Sequence, residues 1–99
     1  MLRHIVLWRL AAEGVAERAR DSSTIATALE ALVSVIPEIV SLTVSTNAAD
    51  IPRNWDVCLI GDFADETALG VYLRHPDHVR AADVVGELVT ERAAIDLLV

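Results

Sequence analysis

Two segments of this chain carry apolar side chains on both faces of an extended strand, and few folds hide such strands within 99 residues. Successive strand residues point to opposite sides. In residues 2–10, LRHIVLWRL, His4, Val6, Trp8 and Leu10 share one side, and Arg3, Ile5, Leu7 and Arg9 share the other. In residues 55–63, WDVCLIGDF, Trp55, Val57, Leu59 and Phe63 alternate with Asp56, Cys58, Ile60 and Asp62. A strand apolar on both sides is covered on both sides.

The other segments say what covers them. Residues 13–36 read as a helix whose clear part is the stripe Ile25, Leu29, Leu32, Val33 and Ile36. Asp21-Ser22-Ser23 weakens its middle or supplies a cap there, and Pro37 stops it. Residues 39–46, IVSLTVST, are rich in β-branched residues and read as a strand, with Val40, Leu42 and Val44 on one face. Residues 47–54 read as a surface loop. Asp65 caps a helix over 66–74, a further helix runs from Pro76 to about Leu88 with Val79, Ala82, Val85 and Val89 on its apolar side, and 93–99 form a last strand. The order β-α-β, β-α-α-β predicts an α+β fold, a ferredoxin-like split βαβ with a four-stranded antiparallel sheet and helices on one face. Residues 1–99 make a single domain, with no internal repeat or linker.

Helices roof one face of such a sheet. The other, carrying Ile5, Leu7, Cys58 and Ile60, is left as an exposed apolar patch. A chain this short buries only about two-thirds of its unfolded surface, yet 54% of its residues are hydrophobic. Both facts predict a homodimer whose two sheets pack face to face into a shared barrel. Parity then sends His4, Val6, Trp8, Val57 and Leu59 towards the helices, where they line a pocket.

The stretch Tyr72-Leu73-Arg74-His75-Pro76-Asp77-His78 supplies that pocket with chemistry. Leu69, Tyr72 and Leu73 share a helical face. Pro76 ends the helix and suits the first position of the next. His75 is therefore extended and acts as an N-cap, and His78 falls in the first turn that follows. The corner aims a phenol and an imidazole at one region.

Composition excludes several roles. A net charge of −7 argues against nucleic acid. No apolar run approaches the roughly 20 residues of a membrane helix. Residues 1–10 lack the features of a secretory leader, so a cytoplasmic location is expected. A lone cysteine forms no internal disulfide, and Cys58 is expected to be a buried, inert thiol.

The opening Arg3-His4-Ile5-Val6-Leu7, the strand Trp55-Asp56-Val57-Cys58-Leu59 ending near Phe63, Ala68-Leu69 to Tyr72, His75-Pro76-Asp77-His78 and a closing Asp96 together resemble the stress-responsive A/B barrel domain (Dabb) family of the dimeric α+β barrel superfamily. The resemblance spans nearly the whole chain and implies a homodimer. Some plant members resemble polyketide cyclases, and their tyrosine and histidine match Tyr72 and His78 here, which implies an intramolecular aldol condensation. The chain departs from that pattern at Val57, where the cyclising members carry a histidine, and Trp8 is bulky enough to narrow the cavity.

Two functional classes fit these residues. One is a dimeric protein that binds a small apolar or polyketide-like ligand without chemistry. The other is a cofactor-independent lyase or cyclase, with His78 as general base, Tyr72 orienting a carbonyl and His4 lining the pocket. A zinc site from His4, His75 and His78 is the weakest alternative, because the two later histidines flank a proline corner rather than one helical turn. Neither metal nor cofactor is expected.

Overall fold

The computed structural model describes residues 1–99. Strand β1 (Leu2–Leu10) is followed by helix α1 (Val15–Glu30), a 3-10 turn (Ala31–Ser34), β2 (Ile39–Thr46), β3 (Val57–Phe63), α2 (Glu66–Arg74), α3 (Pro76–Gly86) and β4 (Val89–Leu98). The sheet runs β2-β3-β1-β4, and every neighbouring pair is antiparallel. The two strands with apolar residues on both faces are thus the central ones.

The parity expected for these strands is the parity observed. His4, Val6, Trp8 and Leu10 of β1 and Val57, Leu59 and Phe63 of β3 are buried against the helices. Ile25 and Leu29 of α1, with Ile36 beyond it, join Phe63 and Leu42 in that core. Gly61 makes room for it, since a Cβ there would stand 3.2 Å from the Phe63 ring. Asp56 ties the layers together. Its carboxylate accepts from the Leu10 amide at 2.8 Å and from Arg18 of α1 at 2.6 Å.

Several expected boundaries move. α1 runs unbroken through Asp21-Ser22-Ser23, with Ser22 facing the core, and gives way to the 3-10 turn before Pro37. Val33 is exposed because the tighter turn rotates it away from the stripe. β3 begins at Val57, so Trp55 lies outside it, under the Arg9 guanidinium at 4.2 Å. In β2 the register against β3 shifts between Ile39 and Ser41. That irregularity brings Ile39 to the buried side with Leu42 and turns Val40 out to solvent. β4 starts at Val89, well before residue 93. The buried face of α3 is Ala81 and Val85, whereas Val79 is exposed.

Candidate functional site

The site forms at the corner between α2 and α3. Asp65 starts α2 by accepting from the Ala68 amide at 2.8 Å, and Leu69 and Tyr72 turn inward; Leu73, expected on the same face, stays exposed. His75 is extended, with φ −60° and ψ 134°, and its Nδ1 accepts from the Asp77 amide at 3.1 Å. It is a cap, as the His-Pro sequence requires, and it places His78 one turn later, beside Tyr72. Their ring centroids are 4.4 Å apart and tilted by 51°. On its other side Tyr72 packs against Phe63 at 4.9 Å.

Burial favours the neutral form of both groups. His78 Nδ1 lies 3.0 Å from the Leu73 carbonyl oxygen. A carbonyl only accepts, so Nδ1 donates and Nε2 keeps its lone pair. Burial pushes His78 below its ordinary pKa of 6.5, against the pull of the Leu73 carbonyl, and repulsion from His4, Arg92 and His75 lowers it further. Tyr72 is 1% exposed, and burial pushes its pKa up to about 12, so the phenol keeps its proton. Its hydroxyl makes no hydrogen bond to the protein, yet it is not sealed among the unpartnered buried atoms. It opens into a cavity.

That cavity has a volume of about 370 Å³. His4, Val6 and Trp8 of β1 and Leu59 of β3 form its floor, with Leu29 of α1 beside them. Tyr72, His78, Ala82 and Val85 form its roof, and Val89 to Arg92 of β4 close one side. His4 Nδ1 donates to Asp96 Oδ1 at 2.6 Å, which leaves the other ring nitrogen free. Such an arrangement can offer a carbonyl oxygen the Tyr72 hydroxyl and offer a proton the His78 Nε2 lone pair.

Six of the expected pocket and catalytic residues, His4, Val6, Trp8, Leu59, Tyr72 and His78, share this one cavity. Val57 does not. It is packed into the core further along β3, at Trp8's level in the ladder. Arg92 and Thr90 were not expected, because the polar run Thr90-Glu91-Arg92 hides the start of β4; continuing the alternation back from Asp96 through Ala94 reaches Arg92. No three His, Cys, Asp or Glu side chains cluster as a metal site needs, so His4, His75 and His78 do not converge.

Ile5, Leu7, Cys58 and Ile60 lie on the sheet's other face, with Ile60 40% exposed and the other three half-buried. Ile95 and Leu97 of β4, opposite Ile5 and Arg3, extend the apolar patch. Cys58 is therefore half-buried rather than buried, and desolvation raises its thiol pKa, which keeps it unreactive. At the patch edge Arg3 holds Asp62 through bonds of 2.9 and 3.0 Å, which keep that carboxyl below its usual range.

A four-stranded antiparallel sheet in this order, with helices on one face, defines an α+β protein of the ferredoxin-like class. Within it, the chain belongs to the stress responsive A/B barrel domain family, whose model matches residues 2–99. It is similar to a dimeric protein of unknown function and ferredoxin-like fold from Bacteroides fragilis NCTC 9343, with 29% identity, 97% of this chain and 93% of that one covered, and a TM-score of 0.87. A dimeric ferredoxin-like protein of unknown function from Thermobifida fusca YX shares 24% identity over 99% of this chain and 90% of that one, with a TM-score of 0.83. The hydroxynitrile lyase of Passiflora edulis shares the fold, at 14% identity over 99% of this chain and 92% of that one, with a TM-score of 0.81. No curated protein matches the sequence. No helix is long and apolar enough to cross a membrane.

Proposed function

We propose that the protein is a homodimer that binds a small, mainly apolar molecule in the cavity between sheet and helices. The Tyr72 hydroxyl carries this reading. A hydroxyl aimed into a mainly apolar space calls for an acceptor, and this one, on a ring that is 1% exposed, has no protein partner and opens into a space of about 370 Å³. That volume falls at the lower end of the roughly 300–1,000 Å³ of small-molecule sites. The homodimer is supported by the apolar open face and by the dimeric relative from Bacteroides fragilis. A second copy packed on Ile5, Leu7, Cys58 and Ile60 removes a patch that water would otherwise wet.

Calorimetric titration with benzoylacetone, a compact β-diketone, tests the cavity. One molecule per protomer should bind the wild type, and Tyr72→Phe should weaken binding about tenfold, the worth of roughly 1.4 kcal/mol. Unchanged binding by Tyr72→Phe would sink the reading. Light scattering should give a dimer for the wild type and a monomer for Ile60→Asp.

A second reading is favoured by the fixed tautomer of His78. With Nδ1 tied to Leu73, Nε2 can accept a proton from carbon beside a carbonyl whose oxygen hydrogen-bonds to Tyr72. The C–H bond breaks, the proton passes to Nε2 and the electron pair becomes an enolate. The enolate then attacks a second carbonyl carbon of the same chain, and His78 returns its proton to the alkoxide so formed. This is a cofactor-independent, polyketide-cyclase-like reaction. Solvent deuterium exchange at the central carbon of β-polyketones, followed by NMR, measures the first step. Equal rates for wild type and His78→Gln would remove His78 as the base.

A further inference from the structure

The cavity wall holds a cation that no internal acid neutralises. Arg92 pairs with Trp8 across the β1–β4 ladder, on the helix-facing side of the sheet, and borders the cavity. All 8 basic residues of the chain are arginines, set against 15 acids. Arg3, Arg9, Arg18, Arg20 and Arg80 each have a carboxylate partner. Arg53, Arg74 and Arg92 have none, and of these only Arg92 borders the cavity. The nearby acids are otherwise engaged. Glu91 faces Arg9 at 3.5 Å, and Asp96 accepts from His4.

The surroundings favour one kind of occupant. Arg92 is exposed where it borders the cavity, which sets the mouth on its side, while Val6, Trp8, Leu59 and Tyr72 of the same lining are buried. The Arg92 charge reaches the deep groups, favouring the ionised Tyr72 and disfavouring a proton on His78. A guanidinium binds a carboxylate through two parallel hydrogen bonds. One lone cation beside a neutral His78 suits a single negative charge better than a phosphate dianion.

We propose that Arg92 anchors a carboxylate, and that the ligand of this cavity is an apolar monocarboxylic acid with its acid group at the mouth and its hydrocarbon or aryl body over Val6, Trp8 and Leu59. The assignment rests on reading the cavity as a small-molecule site. Arg92 is then the residue that selects acids over neutral molecules of the same shape.

The test compares 4-phenylbutyrate with 4-phenylbutyramide, which share one shape and differ by a charge. Calorimetric titration of the full chain should show the acid binding the wild type about tenfold more tightly or better. Arg92→Gln should abolish that preference by weakening the acid far more than the amide, and Arg92→Lys should keep only part of it. The preference should shrink as salt rises. Melting temperatures within error of wild type establish that both variants fold. Equal binding of acid and amide by the wild type, or a preference that survives in Arg92→Gln, overturns the anchoring role and leaves the cavity reading intact. Failure of both compounds to bind the wild type overturns both.

Discussion

The helix-facing side of the sheet is packed solid under α1 and hollow between β1, β4 and α3. On the solid side Ile25, Ile36 and Phe63 are completely buried. On the hollow side the same alternation along β4 presents Arg92, Ala94 and Asp96 where β3 presents Val57, Leu59 and Gly61. Layer spacing is set by the fold, so a methyl at Ala94 in place of the Leu59 side chain, flanked by Arg92 and Asp96 that are exposed to solvent, leaves volume unfilled. The difference teaches that one edge strand makes this site. The central strands and helices give it floor and roof, and β4 closes one side while withholding the bulk that would fill it.

The largest test of the contrast is on the solid side. Phe63→Ala should cost about 3–5 kcal/mol, a large part of the roughly 5–15 kcal/mol of a whole domain, and urea denaturation would read it. A loss below about 1 kcal/mol would mean that this side is not close-packed. Ser22 is the flaw in that half, with a buried hydroxyl that has no partner. Ser22→Ala should raise stability by about 1–2 kcal/mol, because an unpaired polar group is removed from the core. Ala82→Leu, on the cavity roof, should change stability by less than about 1 kcal/mol, since it fills empty space. It should also abolish binding of benzoylacetone, and retention of binding would place the site elsewhere.

The smallest expected effect is a dependence on pH. His78 has a lowered pKa when folded, so the unfolded chain binds the extra proton more readily. Its contribution to stability is full above pH 6.5, its ordinary value, and is lost as pH falls through the depressed value. Thermal melts between pH 7.5 and 5 should show a decline that His78→Gln flattens. An equal decline in that variant would assign the effect to another group.

Much of this was legible from residues alone. The strict alternation in β1 and β3 fixed which side chains meet the helices, and His75-Pro76 fixed the corner that brings Tyr72 and His78 together. Elsewhere local pattern misled. Alternation grouped Val40 with Leu42, and the register shift near Ile39 reversed that. Helical spacing put Val79 and Val85 on the buried side of α3; Val85 is there, but the corner sets the rotation of that helix and turns His78 and Ala81 inward in place of Val79. The polar Thr90-Glu91-Arg92 falls outside the strand expected over 93–99, because an edge strand beside a cavity has no buried residues to mark it.

Periodicity belongs to residues close together in the chain, so the sequence determined by itself the strands, their two apolar faces and the His-Pro corner. The cavity is a deficit of volume among His4, Leu59, Tyr72 and Arg92, which come from four separate elements. No short stretch encodes such a deficit. Only the tertiary structure could decide that Arg92 joins the site, that Val57 leaves it, and that Tyr72 holds its hydroxyl open.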